Sequence, residues 1–171
     1  MPIALKGVDK DGFDTGIFVD LSIKDINLYK FKEKEFTAKN IFYYAQQTKY
    51  EFRGVMINKF NLNRKESKKA WKRMINAFNF KPIRTAKKSI LQYKERTREA
   101  NALLVKKRDI PKFQMTYQIG ESDVDIIANF LKEGISRVYT SDRAFHETCK
   151  ILGFNSKMIS LYEYANMEKR P

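Results

Sequence analysis

The last third of the chain narrows the possible folds most. Between residues 120 and 161, helical periodicity and short apolar runs alternate, each closed by its own stop signal. Ser122 offers a cap for a helix over 123–133, and Gly134 ends that helix. Ser136–Thr140 then reads as a strand, Arg143–Leu152 as a second helix stopped by Gly153, and Met158–Leu161 as a further strand. A helix between two strands carries the chain back to the same end of a sheet, so such strands pair in parallel and are covered by helices. The expected class is α/β, a Rossmann-like sandwich with a mostly parallel central sheet flanked by helices.

The earlier segments add elements of less certain type. Asp9-Lys10-Asp11-Gly12 reads as a turn between Ile3–Val8 and Phe13–Leu21, an opening hairpin. Gly16-Ile17-Phe18-Val19 reads as a buried strand running into Asp20. Residues 23–50 are charged and aromatic and read as mostly helical, with Thr37 as a cap for a helix starting at Ala38. Phe52–Ile57 is a strand candidate. Asn63-Arg64-Lys65-Glu66 marks a helix start, after which Ala70, Trp71, Met74, Ile75 and Phe78 fall at helical spacing. Phe80–Ile83 is a short strand, and 86–107 a long basic amphipathic helix broken at Asp109-Ile110-Pro111. No repeat, low-complexity tract or Pro/Gly/Ser linker interrupts the chain, so 1–171 reads as one domain, with 1–15 as an N-terminal hairpin extension.

Charge points to the partner. Lys and Arg total 34 against 20 Asp and Glu, a net charge of +14. Basic side chains displace condensed counterions from a polyanion and speed its encounter, which favours a nucleic acid over an acidic protein or a membrane surface. Thirteen Phe and nine Tyr exclude a disordered polyelectrolyte. No apolar run approaches the roughly twenty residues of a membrane span, and the first residues lack a secretory pattern, so a cytoplasmic protein is expected. The single Cys149 excludes an internal disulfide and a cysteine-rich zinc site, and seven glycines are too few for a Gly-rich phosphate loop.

In open α/β sheets, function gathers at the carboxyl ends of the strands. Asp20 closes the strand expected over 17–19, Asp142 follows the strand at Arg137–Thr140, and Asp123 and Asp125 stand in the first turn of the helix that feeds it. Carboxylates crowded on one sheet edge repel one another unless a divalent cation joins them. Oxygen ligands suit Mg²⁺ or Mn²⁺, which can lower the pKa of a bound water and stabilise charge on a scissile phosphate. Any one of these acids alone is as well explained as a cap or a turn residue.

The same residues resemble a known family. Asp123-Val124-Asp125-Ile126-Ile127-Ala128-Asn129-Phe130-Leu131-Lys132-Glu133-Gly134 is similar to the PIN-domain pattern of an acid at a helix start, an Ile-Ala core and a Gly stop. Arg137-Val138-Tyr139-Thr140-Ser141-Asp142-Arg143-Ala144-Phe145 resembles the family's strand, Thr, any residue, Asp and Phe. Cys149-Lys150-Ile151-Leu152-Gly153-Phe154 continues it. Val19-Asp20-Leu21-Ser22 resembles the first acid of the family, and Tyr50-Glu51-Phe52-Arg53-Gly54 the second.

The resemblance implies a PIN-like, Rossmann-type endoribonuclease that hydrolyses single-stranded or structured RNA. Asp20, Glu51, Asp123 and Asp142 would be its catalytic, metal-holding residues for Mg²⁺ or Mn²⁺, with Ser22 and Ser141 as supporting hydroxyls. It also implies an antitoxin or RNA-processing partner and allows a homodimer. Asp14 competes with Asp20, Glu66 with Glu51, and Asp125 with Asp123. The related NYN nucleases fit Val124-Asp125 and Ser141-Asp142 equally.

Other features carry less. Asp14-Thr15-Gly16 matches an aspartic-protease loop, but that chemistry needs a second copy and none exists. His146, Cys149 and Trp71 read as structural. Lys87, Lys88, Lys94, Arg96, Arg98, Lys106, Lys107 and Arg108 form either a solvated face or a track for a nucleic-acid backbone. Tyr43, Tyr44 and Tyr50 are candidates for stacking bases, although core packing is the expected role for most of them. The competing readings are a non-catalytic nucleic-acid-binding or assembly module on the same fold and, on charge alone, a helix-turn-helix regulator.

Overall fold

A computed structural model describes residues 10–23, 40–84, 87–107 and 116–159. Its strands are β1 (Lys10–Phe13), β2 (Ile41–Tyr44), β3 (Lys81–Pro82), β4 (Arg137–Thr140) and β5 (Asn155–Met158). Its helices are α1 (Thr15–Ile23), α2 (Gln46–Phe60), α3 (Arg64–Phe78), α4 (Leu91–Lys107), α5 (Glu121–Glu133) and α6 (Arg143–Ile151), with a 3₁₀ turn at Lys87–Ile90. The strands form one sheet in the order β3-β2-β1-β4-β5, and every pairing is parallel. This is the α/β sandwich that the alternation in the last third predicts.

Side chains alternate between the two faces of the sheet, as strand geometry demands. Phe13, Phe42, Tyr44 and Tyr139 join one core with residues of α1, α2 and α3, among them Phe18, Phe52 and Trp71. Val138 joins the other with Ile126, Ile127 and Phe130 of α5 and Phe145 and Cys149 of α6. Phe13 stacks on Tyr139 at 5.1 Å and meets Phe42 and Phe80 edge-on at 5.6 and 5.2 Å.

Local chemistry sets the boundaries. Asn63 caps α3 through a reciprocal capping box with Glu66, and Asn79 ends that helix in the left-handed region at φ 54°. Gly134 ends α5 at φ 73°. The basic helix is tied to α5 by Lys94–Asp125 at 3.2 Å and Arg98–Glu121 at 2.9 Å, so part of its charge is already matched.

Several expectations are corrected. Residues Lys10–Gly12 of the expected turn do not turn, because Lys10–Phe13 is strand β1, with buried Asp11 held by Arg137 of β4 at 3.1 Å, and Asp9 lies outside the described residues. Gly16–Val19 is not a strand but part of α1, and Ile17, Phe18 and Leu21 of that helix are all buried. A helix buried over so much of its surface shows too little polar periodicity to be told from a buried strand. Phe52–Ile57 is likewise helical, and Thr48, Phe52 and Met56 form the buried stripe of α2 at intervals of four. The last strand among the described residues is Asn155–Met158, which overlaps the expected Met158–Leu161 only at Met158; Ser160 and Leu161 lie outside the described residues. Ile41–Tyr44, expected inside a helix starting at Ala38, is strand β2, while Thr37, Ala38, the segment Ile3–Val8 and the break at Asp109-Ile110-Pro111 lie outside the described residues.

Gly12 of β1 leaves space for a neighbour. A Cβ there would stand 2.8 Å from the ring of Phe130, which is itself fully buried. Gly12→Ala should therefore destabilise the fold by about 1–3 kcal/mol, the usual cost of overpacking. A thermal melt checks this, and an unchanged midpoint would show that α5 gives way freely.

Candidate functional site

The chain leaves β1 towards β2 and β3, then returns to place β4 on the opposite flank of β1. Connections diverge from that point and leave a crevice at the carboxyl ends of β1 and β4. Phe13 is in register with Tyr139, so Asp14 and Thr140, the next residues on each strand, emerge side by side. The Asp14 N–H donates to the Tyr139 carbonyl at 3.0 Å, and Thr140 Oγ1 donates to Asp14 Oδ2 at 2.8 Å. Thr140 Oγ1 also accepts from the Asp142 N–H at 2.9 Å, joining the two acidic positions through one hydroxyl.

Two more acids enter from helices. The Thr15 N–H donates to Asp14 Oδ1 at 2.6 Å, while Thr15 Oγ1 donates to Glu51 Oε1 of α2 at 3.0 Å. Asp123 stands in the first turn of α5. Asp142 is the N-cap of α6 and accepts from the Phe145 N–H at 2.9 Å.

The electrostatics join these residues into one site. Burial pushes Asp14 up to about 6, against the pull of its Thr140 and Thr15 hydrogen bonds, and Asp142 and Glu51 add repulsion. Burial also raises Asp123, to about 7, with Asp14, Glu51 and Asp142 all repelling its charge. Glu51 is raised by burial and by Asp125, against the Thr15 hydrogen bond. Four carboxylates from distant parts of the chain thus share one crevice. Among the described residues, no three His, Cys, Asp or Glu side chains stand together as a finished metal-ligand set.

No protein-family model matches the sequence, and no curated protein does. Solved structures do match the fold. A chain of VapBC2 from Rickettsia felis, bound to a DNA fragment from its promoter, superposes with a TM-score of 0.60 at 15% identity, covering 88% of this chain and 99% of that one. DNA-bound VapBC from Salmonella typhimurium gives 0.56 at 15% identity, covering 88% and 98%. VapBC-1 from nontypeable Haemophilus influenzae gives 0.55 at 16% identity, covering 87% and 97%. The fold is that of the PIN domains.

On this PIN-type frame the expected acids separate. Glu51, Asp123 and Asp142 meet in the crevice, and Asp14 joins them. Asp20 does not follow a strand; it lies further along α1 and is not among the charges that shift Asp14, Glu51 or Asp123. Glu66 is occupied in the α3 capping box. Asp125 pairs with Lys94 and accepts from Asn129 Nδ2 at 2.9 Å, at the margin of the site beside Glu51. Ser22 is exposed and lines a groove beside Met56 and Phe60. Ser141 Oγ lies 3.3 Å from where a Cβ on Gly16 would stand.

The hydroxyls that orient the acids are instead Thr15 and Thr140. A Thr directly after the first acid, and another two residues before the last, were the available signals. His146 contacts Ser156 Oγ at 2.7 Å, joining α6 to β5. Cys149 is buried, and burial together with Asp14 and Asp123 raises its thiol. Among the described residues no helix is long and apolar enough to cross a membrane.

These shifts give stability a definite pH dependence. Asp14 and Asp123 have folded pKa values above their ordinary 3.8, so the folded state binds protons more tightly than the unfolded chain. Their contribution is fully present below 3.8 and is lost as pH rises through about 6 and about 7. In metal-free protein, Asp123→Asn should therefore raise the melting temperature by an amount that grows from pH 4 to 7 and then levels at about 3 °C or more. A gain independent of pH, or a loss at pH 8, would contradict the repulsion described here.

Proposed function

We propose that this chain is a metal-dependent endoribonuclease that hydrolyses RNA phosphodiester bonds at the crevice between β1 and β4. The observation that carries the reading is the meeting of Asp14, Glu51, Asp123 and Asp142, from four separate segments, at the switch point of a PIN-type sheet. Their donors are all carboxylate oxygens, which suits Mg²⁺ or Mn²⁺, and the repulsion that helps lift Asp123 to about 7 is what a divalent cation would offset. A bound ion supplies a lowered pKa for an attacking water and a counter-charge for the phosphate in the transition state. Because no three of these groups form a finished set as they stand, an ion would have to draw the side chains together.

The protein's own groups divide the work. Asp14 is held from both sides by Thr15 and Thr140, which fixes both of its oxygens. Glu51 and Asp142 each have one oxygen engaged, by Thr15 and by the Phe145 N–H, leaving the other available. The α5 and α6 N-termini place partial positive charge beside Asp123 and Asp142. The net charge of +14 draws a polyanionic substrate to the molecule. The VapBC likeness adds a protein partner of the antitoxin kind.

The alternative is a nucleic-acid-binding module without turnover on the same frame, favoured by the unfinished ligand set. The purified chain should cleave single-stranded RNA with Mg²⁺ or Mn²⁺, and Asp14→Asn or Asp142→Asn should abolish cleavage while Asp20→Asn leaves it. Thr140→Val should lower activity roughly 10–100-fold, the usual effect of removing a group that orients a metal ligand. RNA cleavage that persists in EDTA or in Asp14→Asn would sink the nuclease reading. Binding without cleavage would establish the alternative.

A further inference from the structure

A cavity lies between α2 and α3, on side chains that the carboxylate crevice does not use. Lys49 and Arg53 of α2 and Lys68 and Lys72 of α3 line a cavity of about 360 Å³. Trp71 and Ile75 supply apolar wall, Asn76 adds a further polar group, and no carboxylate lines the cavity. Each helix contributes its two cations at i and i+4, one turn apart on the same face, where like charges oppose helix formation. Two such pairs facing one cavity make an arrangement that stability alone would disfavour.

Surplus of basic residues does not explain it. On α4 and α5 the cations Lys94 and Arg98 are matched by Asp125 and Glu121. Among the described residues, Lys49, Arg53, Lys68 and Lys72 have no such partner. Arg53 also has a buried Nε with no hydrogen-bond acceptor. Buried guanidinium donors are ordinarily satisfied, so this one marks a missing acceptor. An oxyanion in the cavity would offset part of this unmatched positive charge.

We propose that this cavity is a phosphate-binding subsite that takes a backbone phosphate of a single-stranded nucleic acid. It rests on the nucleic-acid part of the reading above and deepens it. Lys49 and Arg53 flank Glu51 on the same helix, so a strand held here is anchored to the element that carries one of the four carboxylates. The apolar wall and the unbranched reach of the lysines fit a diester on a chain, whose neighbouring sugar and base extend out of the cavity.

The chain's single tryptophan, Trp71, lines the cavity and serves as its reporter. Full-length protein in EDTA would be titrated with a short single-stranded RNA and, separately, with inorganic phosphate, following Trp71 fluorescence and RNA anisotropy across a salt series. RNA should change the Trp71 emission. The double variant Lys68→Ala/Lys72→Ala should bind it at least about 10-fold more weakly, with a salt slope shallower by about 0.7, the value for one neutralised phosphate of a single strand. Both lysines are solvent-exposed, and an unchanged melting temperature confirms that the variant is folded.

A Trp71 response to phosphate but not to RNA would overturn the strand assignment in favour of a small free anion. Unchanged RNA affinity and salt slope in the folded double variant would overturn the subsite. Cleavage that depends on Asp14 while the double variant binds normally would therefore sink this subsite alone.

Discussion

The site depends on one strand pairing. β1 and β4 are distant in sequence, and their register is fixed where Asp11 meets Arg137 and Phe13 meets Tyr139. The buried ion pair is specific in geometry, and the stacked rings anchor the next step of the ladder inside the core. A slip of one residue would turn Phe13 and Tyr139 out of their shared core and Asp14 away from Thr140. The alignment of the carboxylates is therefore inherited from the packing immediately before them. The last apolar residue of each strand positions the first polar one.

This dependence explains what the sequence makes readable. Residues 120–158 carry complete punctuation: Gly134 and Gly153 stop helices at positive φ, and Asp142 both follows a strand and caps a helix. Each signal there is local, so helix, strand and acid could be placed without knowing the partner strand. The first acid was not readable in that way. The apolar run at Ile17-Phe18-Val19 is buried because α1 lies against the sheet beneath α2 and α3, a tertiary fact with no local trace. Strand β1 is only four residues long and contains Lys10 and Asp11, which local propensity assigns to a turn. Asp20 follows an apolar run that reads as a strand but lies in α1, whereas Asp14 follows strand β1. Glu51 lies in a segment whose neighbours read as strand, and the buried stripe Thr48-Phe52-Met56 shows what obscures the helix: its one polar member breaks the apolar pattern.

The positive charge is also more structured than its total suggests. Some cations are spent on the fold, as where Lys94 and Arg98 bind α4 to α5 and Arg137 neutralises Asp11. Others, around the α2–α3 cavity, are left unmatched. Net charge alone cannot distinguish the two groups, because both read as surface lysine and arginine in the sequence. Only the packing of helices decides which side chains face an acid and which face a cavity.

Strand β1 contains its own control for the electrostatic argument. Asp11 and Asp14 are both buried, three residues apart, in a chain with 34 basic side chains to draw on. Asp11 is given Arg137 at 3.1 Å and the amide of Asn40, which is how a structural carboxylate is ordinarily accommodated. Asp14 is given hydroxyl and amide donors, and the charges that bear on it are Asp142 and Glu51. Scarcity of cations cannot account for the difference, since the strand shows that one can be supplied. The fold neutralises the acid that holds its register and leaves the acid at the end of the strand in the company of others. That selective omission is what the proposed cation site requires, because a cation at that point would stand where the fold supplies no basic side chain.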